Sequence, residues 1–496
     1  MKFSRRTDLD AQTRVEIIKA GIRAKGTYGG MIGLAHQYNI SRSFLYQLMA
    51  MAMFCLTEML SIQSREEINP HQMDVNQLIV LLRLEGKCSI SSISEILKTL
   101  NYPHSSEGMI SQLLKKYGGA LSPTLSADGK YLVIFLSDEI FALGCPILVT
   151  IEPKSTAILK IELASNCSAD TWQNHYEELE LNQFIAKALA SDRGKGITSG
   201  FKAAHPQSPW YSDHFHEFME LFKLLKKFEK QADAAIDYKN DRWCKLNNAR
   251  SESNIKKRRE QYEQAAQVCL EKIELYKQVE AALQLLIPSL YFITSFGHPN
   301  DKQTVKDDIL TIMGWLEEME DEQISKETES IRNHIDDIIL CYHQVEEVYQ
   351  ELLTQIDEDI LSALCTAWQH QHLSNQTKGD SKHYHQAESK FWVNYAETFL
   401  GSQAESAIKQ VFDSLDEMVR SSSLIEMVNS RIRPYLNSCK GQITQEALNL
   451  IMFFHNHRPY KSNKRKESAP IEILTQTKLD KHWIESLFDT LTPINT

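Results

Sequence analysis

The sequence has no run of roughly 18 apolar residues, the length a helix needs to cross a bilayer. Its longest apolar runs, 131–136 and 147–151, are strand-sized. Behind the basic residues of the opening MKFSRRTDLD there is no apolar core, so no secretory signal and no membrane association are expected, and the setting reads as cytoplasmic. Cysteine is sparse: nine residues, at 55, 88, 145, 167, 244, 269, 341, 365 and 439, an odd number with no two at C-x-x-C spacing. That argues against a disulfide framework and against a zinc module. Glycine and proline, 19 and 13 of 496 residues, are too few for a collagenous chain, and no repeat of fixed period is present. What remains, at 42% hydrophobic and 24% charged, is the composition of an ordinary folded protein with room for about three domains.

Positive charge is also short, with 54 Lys+Arg against 65 Asp+Glu and a net charge of -11, which by itself disfavours a nucleic-acid binder. The distribution says otherwise. Residues 1–130 hold 15 Lys+Arg against 11 Asp+Glu, and residues 427–496 hold 10 against 6, so each end carries +4 and the middle -19. Two mildly basic ends around an acidic centre suit a protein that grips a polyanion at its termini and keeps carboxylates, or an acidic scaffold, between them.

The organisation divides into five stretches. Residues 1–70 read as helices with helix-turn-helix grammar in GGMIGLAHQYNISRSFLYQLMAM. Ile32, Leu34 and Ala35 share one helix, Asn39 and Ile40 make the turn, and Ser41 caps a second helix whose Phe44, Leu45 and Leu48 face the core. Arg42, Ser43, Tyr46 and Gln47 then point outward. Residues 71–122 form a second such unit, with helices over 75–84 and 90–100, a turn at Asn101, Tyr102 and Pro103, and a Ser105-capped helix ending in Lys115 and Lys116 beside Gln112. The pair makes a bipartite DNA reader. The blander alternative is two three-helix bundles used for packing or dimerisation.

The texture changes over 123–216. YLVIF at 131–135 is a strand ending at Asp138, segments 147–152 and 157–163 are two more, TWQNHYEEL is helical, and 184–190 is a fourth strand. A short helix near 197–202 and a fifth strand at 210–213 complete a mixed sheet. From 217 to 420 nearly everything is helical and amphipathic, interrupted by Pro288 and Pro299, with a polar loop expected at 374–386. Residues 421–496 return to two helices and a basic closing segment. The fold class is mainly α with an α/β core.

Three acids stand at suggestive places: Asp138 at the end of the first strand, Asp192 just after the fourth, and Glu426 on a helix beyond the long helical stretch, with separations of 54 and 234 residues. Carboxylates offered from adjacent strand ends and one helix suit two Mg²⁺ ions about 4 Å apart, with Mn²⁺ able to substitute, for phosphoryl transfer. Glu139 and Glu152 compete with Asp138, but Glu139 points to the opposite sheet face if the strand continues.

This order of elements, with acids at those places, resembles the RNase H-like core of DDE transposases and integrases over about 131–215 and 420–475. SDRGKGI at 191–197 is similar to the second-acid segment of bacterial insertion-sequence transposases. Asp213-His214-Phe215-His216 is similar to a D-x-F-H element, SSLIEMVNSRIRP to the glutamate helix, and FFHNHRPYKSNKRKESAPIEIL to a closing segment with H-N-x-R and S-P-x-E-x-L elements. The resemblance implies that Asp138 bridges both metals while Asp192 and Glu426 bind one each. It implies end recognition, cleavage and strand transfer on double-stranded DNA, self-association as at least a dimer, and a bacterial nucleoid setting. Arg193, Lys195, Asn429, Arg431, Arg433, Arg458, Lys464 and Arg465 are then candidate DNA contacts. The helical stretch resembles the insertion of hAT-type transposases and the RAG recombinase, which makes Trp315, Trp368 and Trp392 candidates for stacking on a base, with core packing as the plainer role.

Rivals are a DNA-binding regulatory or domesticated protein that lost cleavage, and an RNase H-like nuclease that does not join. His370, His372, His383 and His385 offer a weak metal pattern. Cys341 with His343 reads better as a buried cysteine than as a nucleophile. Gly194-Lys195-Gly196 lacks the rest of a P-loop, so ATP binding is not expected.

Overall fold

A computed structural model of the chain describes residues 8–61, 74–418, 423–462 and 465–491. It divides into two units, Met1–Asp74 and Val75–Thr496.

The first unit is built of α1 (Ala11–Ala24), α2 (Gly30–Gln37) and α3 (Arg42–Ser61). Asp10 caps α1 by accepting from Thr13 N at 2.7 Å, and Ser41 starts α3 by accepting from Phe44 N at 3.1 Å. Asn39, at φ 48°, turns the chain between α2 and α3. Ile17, Leu34, Ala35, Ile40, Leu45, Leu48 and Met49 make a small core of their own. Ile32, Leu34 and Ala35 share α2 as expected; Ile32 is 47% exposed, and α2 meets the core through Met31, Leu34 and Ala35.

The second unit opens with α4 (Val75–Leu84), α5 (Ile90–Thr99) and α6 (Glu107–Gly119). The cap of α6 is Ser106, accepting from Met109 N at 3.4 Å, and not Ser105, whose carbonyl accepts from Ser94 Oγ at 2.6 Å. These helices do not stand apart as a module. Ile79, Leu84, Ile93 and Ile110 belong to the same hydrophobic core as the sheet. Gly118 allows the close approach of the helix over 445–457, since a Cβ there would lie 1.9 Å from Glu446 O.

The sheet holds β1 (Tyr131–Ala142), β2 (Cys145–Ile151), β3 (Ile158–Leu163), β4 (Phe184–Ser191) and β5 (Trp210–Ser212), with α7 (Ala169–Leu181) and α8 (Lys195–Ala204) in the connections. Its order is β3-β2-β1-β4-β5; β1, β2 and β3 are antiparallel, and β4 runs parallel to β1 and β5. Alternation along β1 sends Phe135 into a core with Trp172, Tyr176, Ile197 and Phe201 of α7 and α8, and Ile134, Leu136 and Ile140 into the larger core on the other face.

That second face is covered from far along the chain by α18 (Ser423–Ser438) and α19 (Gln445–His457). The latter also seals the edge strand β3. Gln445 accepts from Leu163 N at 2.7 Å and donates to Ile161 O at 2.9 Å, and Asn456 accepts from Ile158 N at 2.8 Å and donates to Ile158 O at 2.9 Å. Side-chain amides thus close the two ends of this edge, while backbone closes its middle, Leu125 N donating to Leu159 O at 2.7 Å and Ile161 N to Pro123 O at 3.0 Å. Two short helices close the chain, α20 (Pro470–Thr475) and α21 (Trp483–Leu491). Pro470 opens α20 and Glu472 caps it by accepting from Ala469 N at 2.7 Å.

Between sheet and α18 lie α9 (His214–Asn247), α10 (Glu252–Ser289), α11 (Lys302–Glu317), α12 (Glu322–Asn333), α13 (Ile335–Ile338), α14 (Tyr342–Leu353), α15 (Glu358–Gln376), α16 (Gly379–Leu400) and α17 (Ala404–Asp416). Pro288 does not break α10; it sits in its last turn. The polar loop expected at 374–386 is instead helix on both sides of a break at Thr377 and Lys378, with Gly379 at φ 61°. Polar side chains suit an exposed helical hairpin as well as a loop. Among the described residues no helix is long and apolar enough to cross a membrane.

Candidate active site

β1 runs four residues past Asp138, so this acid sits inside the strand, opposite Val149 of β2, and not at its end. Its other neighbour stops earlier. The parallel register ends at Leu136 with Ala190, which puts Asp138 and Asp192 each two residues beyond the last pair and side by side at the carboxyl edge of the sheet. Asp192 turns the chain into α8 by accepting from Gly194 N at 3.0 Å. Packing requires glycine at 196: a Cβ there would lie 1.9 Å from Cys167 O, just before α7.

The third acid comes from α18. Ile425, Val428, Ile432 and Leu436 bury this helix, leaving Glu426 in the first turn half-exposed, with Asn429 and Arg433 on the same side. Asn429 is fully buried and donates from Nδ2 to Asp138 Oδ2 at 2.6 Å. Arg433 reaches Glu426 at 3.5 Å. Burial, then the charges of Glu426 and Asp192, raise the Asp138 carboxyl from 3.8 to about 7. Glu426 of α18 and Asp192 after β4 thus both act electrostatically on Asp138 in β1.

His216 adds an imidazole. Its Nδ1 lies 2.6 Å from Oδ2 of Asp213, which also caps α9 by accepting from Phe215 N at 2.8 Å. Asp213 raises the imidazole above its usual range against burial, helped by Asp192 and Asp138. Sequence reasoning did not single out His216 as a site residue, although the D-x-F-H element contains it.

The competing acids are used elsewhere. Glu139 faces α7 and accepts from Trp172 Nε1 at 3.1 Å. Glu152 closes the turn after β2, accepting from Lys154 N and Ser155 N, both at 2.7 Å.

Several candidate DNA contacts have structural partners. Arg193 binds Glu217 at 2.5 Å and Asp337 at 2.9 Å and lies over the Trp210 ring, so it ties the turn after β4 to α9 and α13. Arg458 forms a two-pronged ion pair with Glu85, and Arg465 donates to Lys154 O at 2.9 Å and Pro153 O at 3.0 Å. Arg431 stacks on Tyr460 at 4.4 Å and faces, with Lys87 and Lys461, a groove of about 490 Å³ between α18, α19 and the end of α4. Gln112, Lys115, Lys116 and Lys195 are exposed, as are Arg42, Ser43, Tyr46 and Gln47 in the first unit. Lys464 lies outside the described residues.

Trp368 is buried and donates to Asp416 at 3.0 Å, Trp392 packs on Phe391 and Tyr395, and Trp315 is 46% exposed. His370 and His385 meet at 2.8 Å, while His372 joins Asp416. Cys341 is buried with its sulfur 3.3 Å from His214, not His343.

Among the described residues no three His, Cys, Asp or Glu close into a metal-binding group. The donor chemistry at the acid site nevertheless suits a hard divalent cation: carboxylate oxygens from three elements, mutual repulsion that raises Asp138, and a buried Asn429 Oδ1 with no hydrogen-bond partner beside it. No protein-family model matches the sequence, and a search of curated proteins finds no match either.

Proposed function

We propose that the protein is a DDE-type DNA transposase with an RNase H-like core, whose helix-turn-helix unit reads element ends and whose acid site cuts and joins DNA. What supports this reading is placement: Asp138 in β1 and Asp192 after β4 each stand two residues beyond the last parallel pair, and α18, with Glu426 in its first turn, donates from Asn429 to Asp138 at 2.6 Å. The strand order, an antiparallel β1–β2–β3 meander continued by β4 and β5 parallel to β1, supports it, as does the first unit, where Arg42, Ser43, Tyr46 and Gln47 are presented together on the exposed side of α3.

Asp138, Asp192 and Glu426 are the residues that would hold two Mg²⁺ ions. When bound, such ions lower the pKa of an attacking oxygen and stabilise a leaving one. Asn429 orients the Asp138 carboxylate by its 2.6 Å hydrogen bond, which keeps one oxygen pinned and the other directed by Glu139 N. His216, whose imidazole Asp213 holds above its usual range, would when protonated offer positive charge near the acids, where a scissile phosphate adds negative charge. The nucleophile is water for cleavage and a DNA 3'-hydroxyl for joining, with no covalent protein intermediate. Joining two ends calls for at least a dimer on DNA, in a bacterial cytoplasm.

The test is a cleavage and joining assay with Mg²⁺ or Mn²⁺ on DNA bearing the gene's own flanks, using wild type and Asp192→Ala. Wild type is expected to nick at defined flank positions and join those ends to target, and the variant to do neither. Equal binding of the flanks by both proteins with no cutting by either would give the protein to the regulatory reading. Cutting without joined products would give it to the nuclease reading.

A further inference from the structure

The middle of the chain is acidic, yet the tip of the hairpin between α9 and α10 is not. Residues 238–259 carry eight basic residues, at 239, 242, 245, 250, 256, 257, 258 and 259, against Asp241 and Glu252, a local excess of six in a chain of net charge -11. The tip is also an arm. The last buried residue before it is Ala232 and the first after it is Ala265. The remaining 15 residues of α9, 233–247, therefore project about 22 Å beyond the last buried position.

The two helices hold each other there through small, local interactions: Trp243 packs on Tyr262 at 5.2 Å, and the Arg258 guanidinium donates to Lys245 O. Lys245 pairs with Asp241 at 2.6 Å and Arg242 lies 4.4 Å from the Tyr238 ring. Arg250, Lys256, Lys257 and Arg259 are exposed and make no ion pair or side-chain hydrogen bond among the described residues. An ordinary solvated helix interleaves its charges in i,i+4 pairs, as α9 does with Asp241 and Lys245. The start of α10 places four cations in succession, and although Glu252, Glu260 and Glu263 stand four residues from Lys256 or Arg259, they form no ion pair with them among the described residues.

We propose that this arm is a clamp for the phosphate backbone of double-stranded DNA, resting on the transposase reading. Its charge complements a polyanion that presents about one negative charge per 1.7 Å. Long Lys and Arg side chains on a projecting arm reach phosphates without reading bases. A membrane surface fits less well. At about 3.6 residues per turn, positions 256–259 encircle the helix, leaving no apolar face opposite the charge. The exposed apolar groups of the arm are the rings of Tyr238 and Trp243, not an aliphatic stripe.

The test compares full-length wild type with the combined variant Arg250→Gln, Lys256→Gln, Lys257→Gln and Arg259→Gln. Affinity for a duplex lacking the element ends is measured by anisotropy across about 50–300 mM salt. Each phosphate that the protein no longer neutralises flattens the slope of log K against log salt by about 0.9, so the variant slope is expected to fall by about 2–4. An unchanged melting temperature shows that the fold is intact, and Lys256→Arg with Lys257→Arg is expected to keep the wild-type slope. If wild type binds DNA and the Gln variant keeps its slope, the arm is not a clamp and the transposase reading stands. If the Gln variant instead loses binding to phosphatidylserine vesicles or duplex RNA while its DNA slope is unchanged, the proposal is overturned in favour of that ligand. If wild type neither binds nor cuts any DNA, both readings fall.

Discussion

Asp138 is held among like charges, and the cost has a sign. Burial first, then Glu426 and Asp192, hold its proton until about pH 7, whereas an unfolded chain releases it near 3.8. Stability without metal therefore falls as pH rises from about 4 to about 7 and stays low above that. Asp138→Asn is expected to stabilise the metal-free protein at pH 8 by on the order of 3 kcal/mol, and, on the proposed reading, to lack the rise in melting temperature with Mg²⁺ that is expected of wild type. A variant less stable than wild type at pH 8 would contradict this account of the site. Buried imidazoles act at another pH. Burial lowers His175 and His455 to about 4, so each stays neutral in the fold while the unfolded chain takes up a proton below about 6.5. Stability is then lost as pH falls from about 6.5 to about 4, by on the order of 3 kcal/mol per group. Urea midpoints across that window should fall steeply for wild type and less steeply for His455→Gln. Glu162 beside His175 does not contribute to this window: burial would raise it, but His175 and Lys160 bring it down to about 2, so its stabilisation erodes only below its ordinary 4.5.

Elements explain why some motif residues bear structural load. Asn456 supplies both bonds that Ile158 lacks at the sheet edge, so Asn456→Ala strands a buried N–H and C=O and is expected to cost about 2–5 kcal/mol in urea unfolding. Asn456→Gln, one methylene longer, should recover little. Arg193 poses the same choice between structure and ligand. Its partner Glu217 is only 9% exposed, so Arg193→Ala is expected to lose about 1–2 kcal/mol, discounted for the partial exposure of the arginine, and to leave nonspecific DNA affinity unchanged. A loss of affinity at unchanged stability would return Arg193 to the DNA-binding set. The acid positions were legible because strands are local: apolar runs bounded by turn residues mark β1 and β4, and an acid after each follows. The extra length of β1 was not, because residues 139–142 pair with 145–148 through a turn at Leu143 and Gly144, both at positive φ, that leaves little pattern in composition. Nor was the hairpin at 374–386, where polar residues coat two exposed helices. The partners of Arg193, Arg458 and Arg465 lie 24 to 373 residues away by chain, a range over which spacing carries no signal.

At the scale of the molecule, the N-terminal unit is built differently from the rest of the chain. Residues 11–49 close a core around Ile17, Leu45 and Leu48 that, among the described residues, shares no member with the two cores of the second unit. The helical stretch from α9 to α17 has no such independence. Phe218 and Leu221 of α9, Ile338 of α13 and Val411 of α17 sit in one cluster with Ile134, Leu136 and Tyr211 of the sheet, and Cys341 and Ile338 grip His214 where α9 leaves β5. Cooperative unfolding follows shared cores, not sequence order. Deleting residues 1–74 is therefore expected to leave the main calorimetric transition of the remaining chain within a few degrees of wild type, while binding to element-end DNA weakens to the level of unrelated duplex. Replacing 214–418 with a short linker should instead expose the face of the sheet that carries Tyr211 and give insoluble protein. The informative result is the reverse pattern, a soluble, folded chain without 214–418. It would mean that the sheet closes its core without those helices and that the acid site does not depend on them for shape.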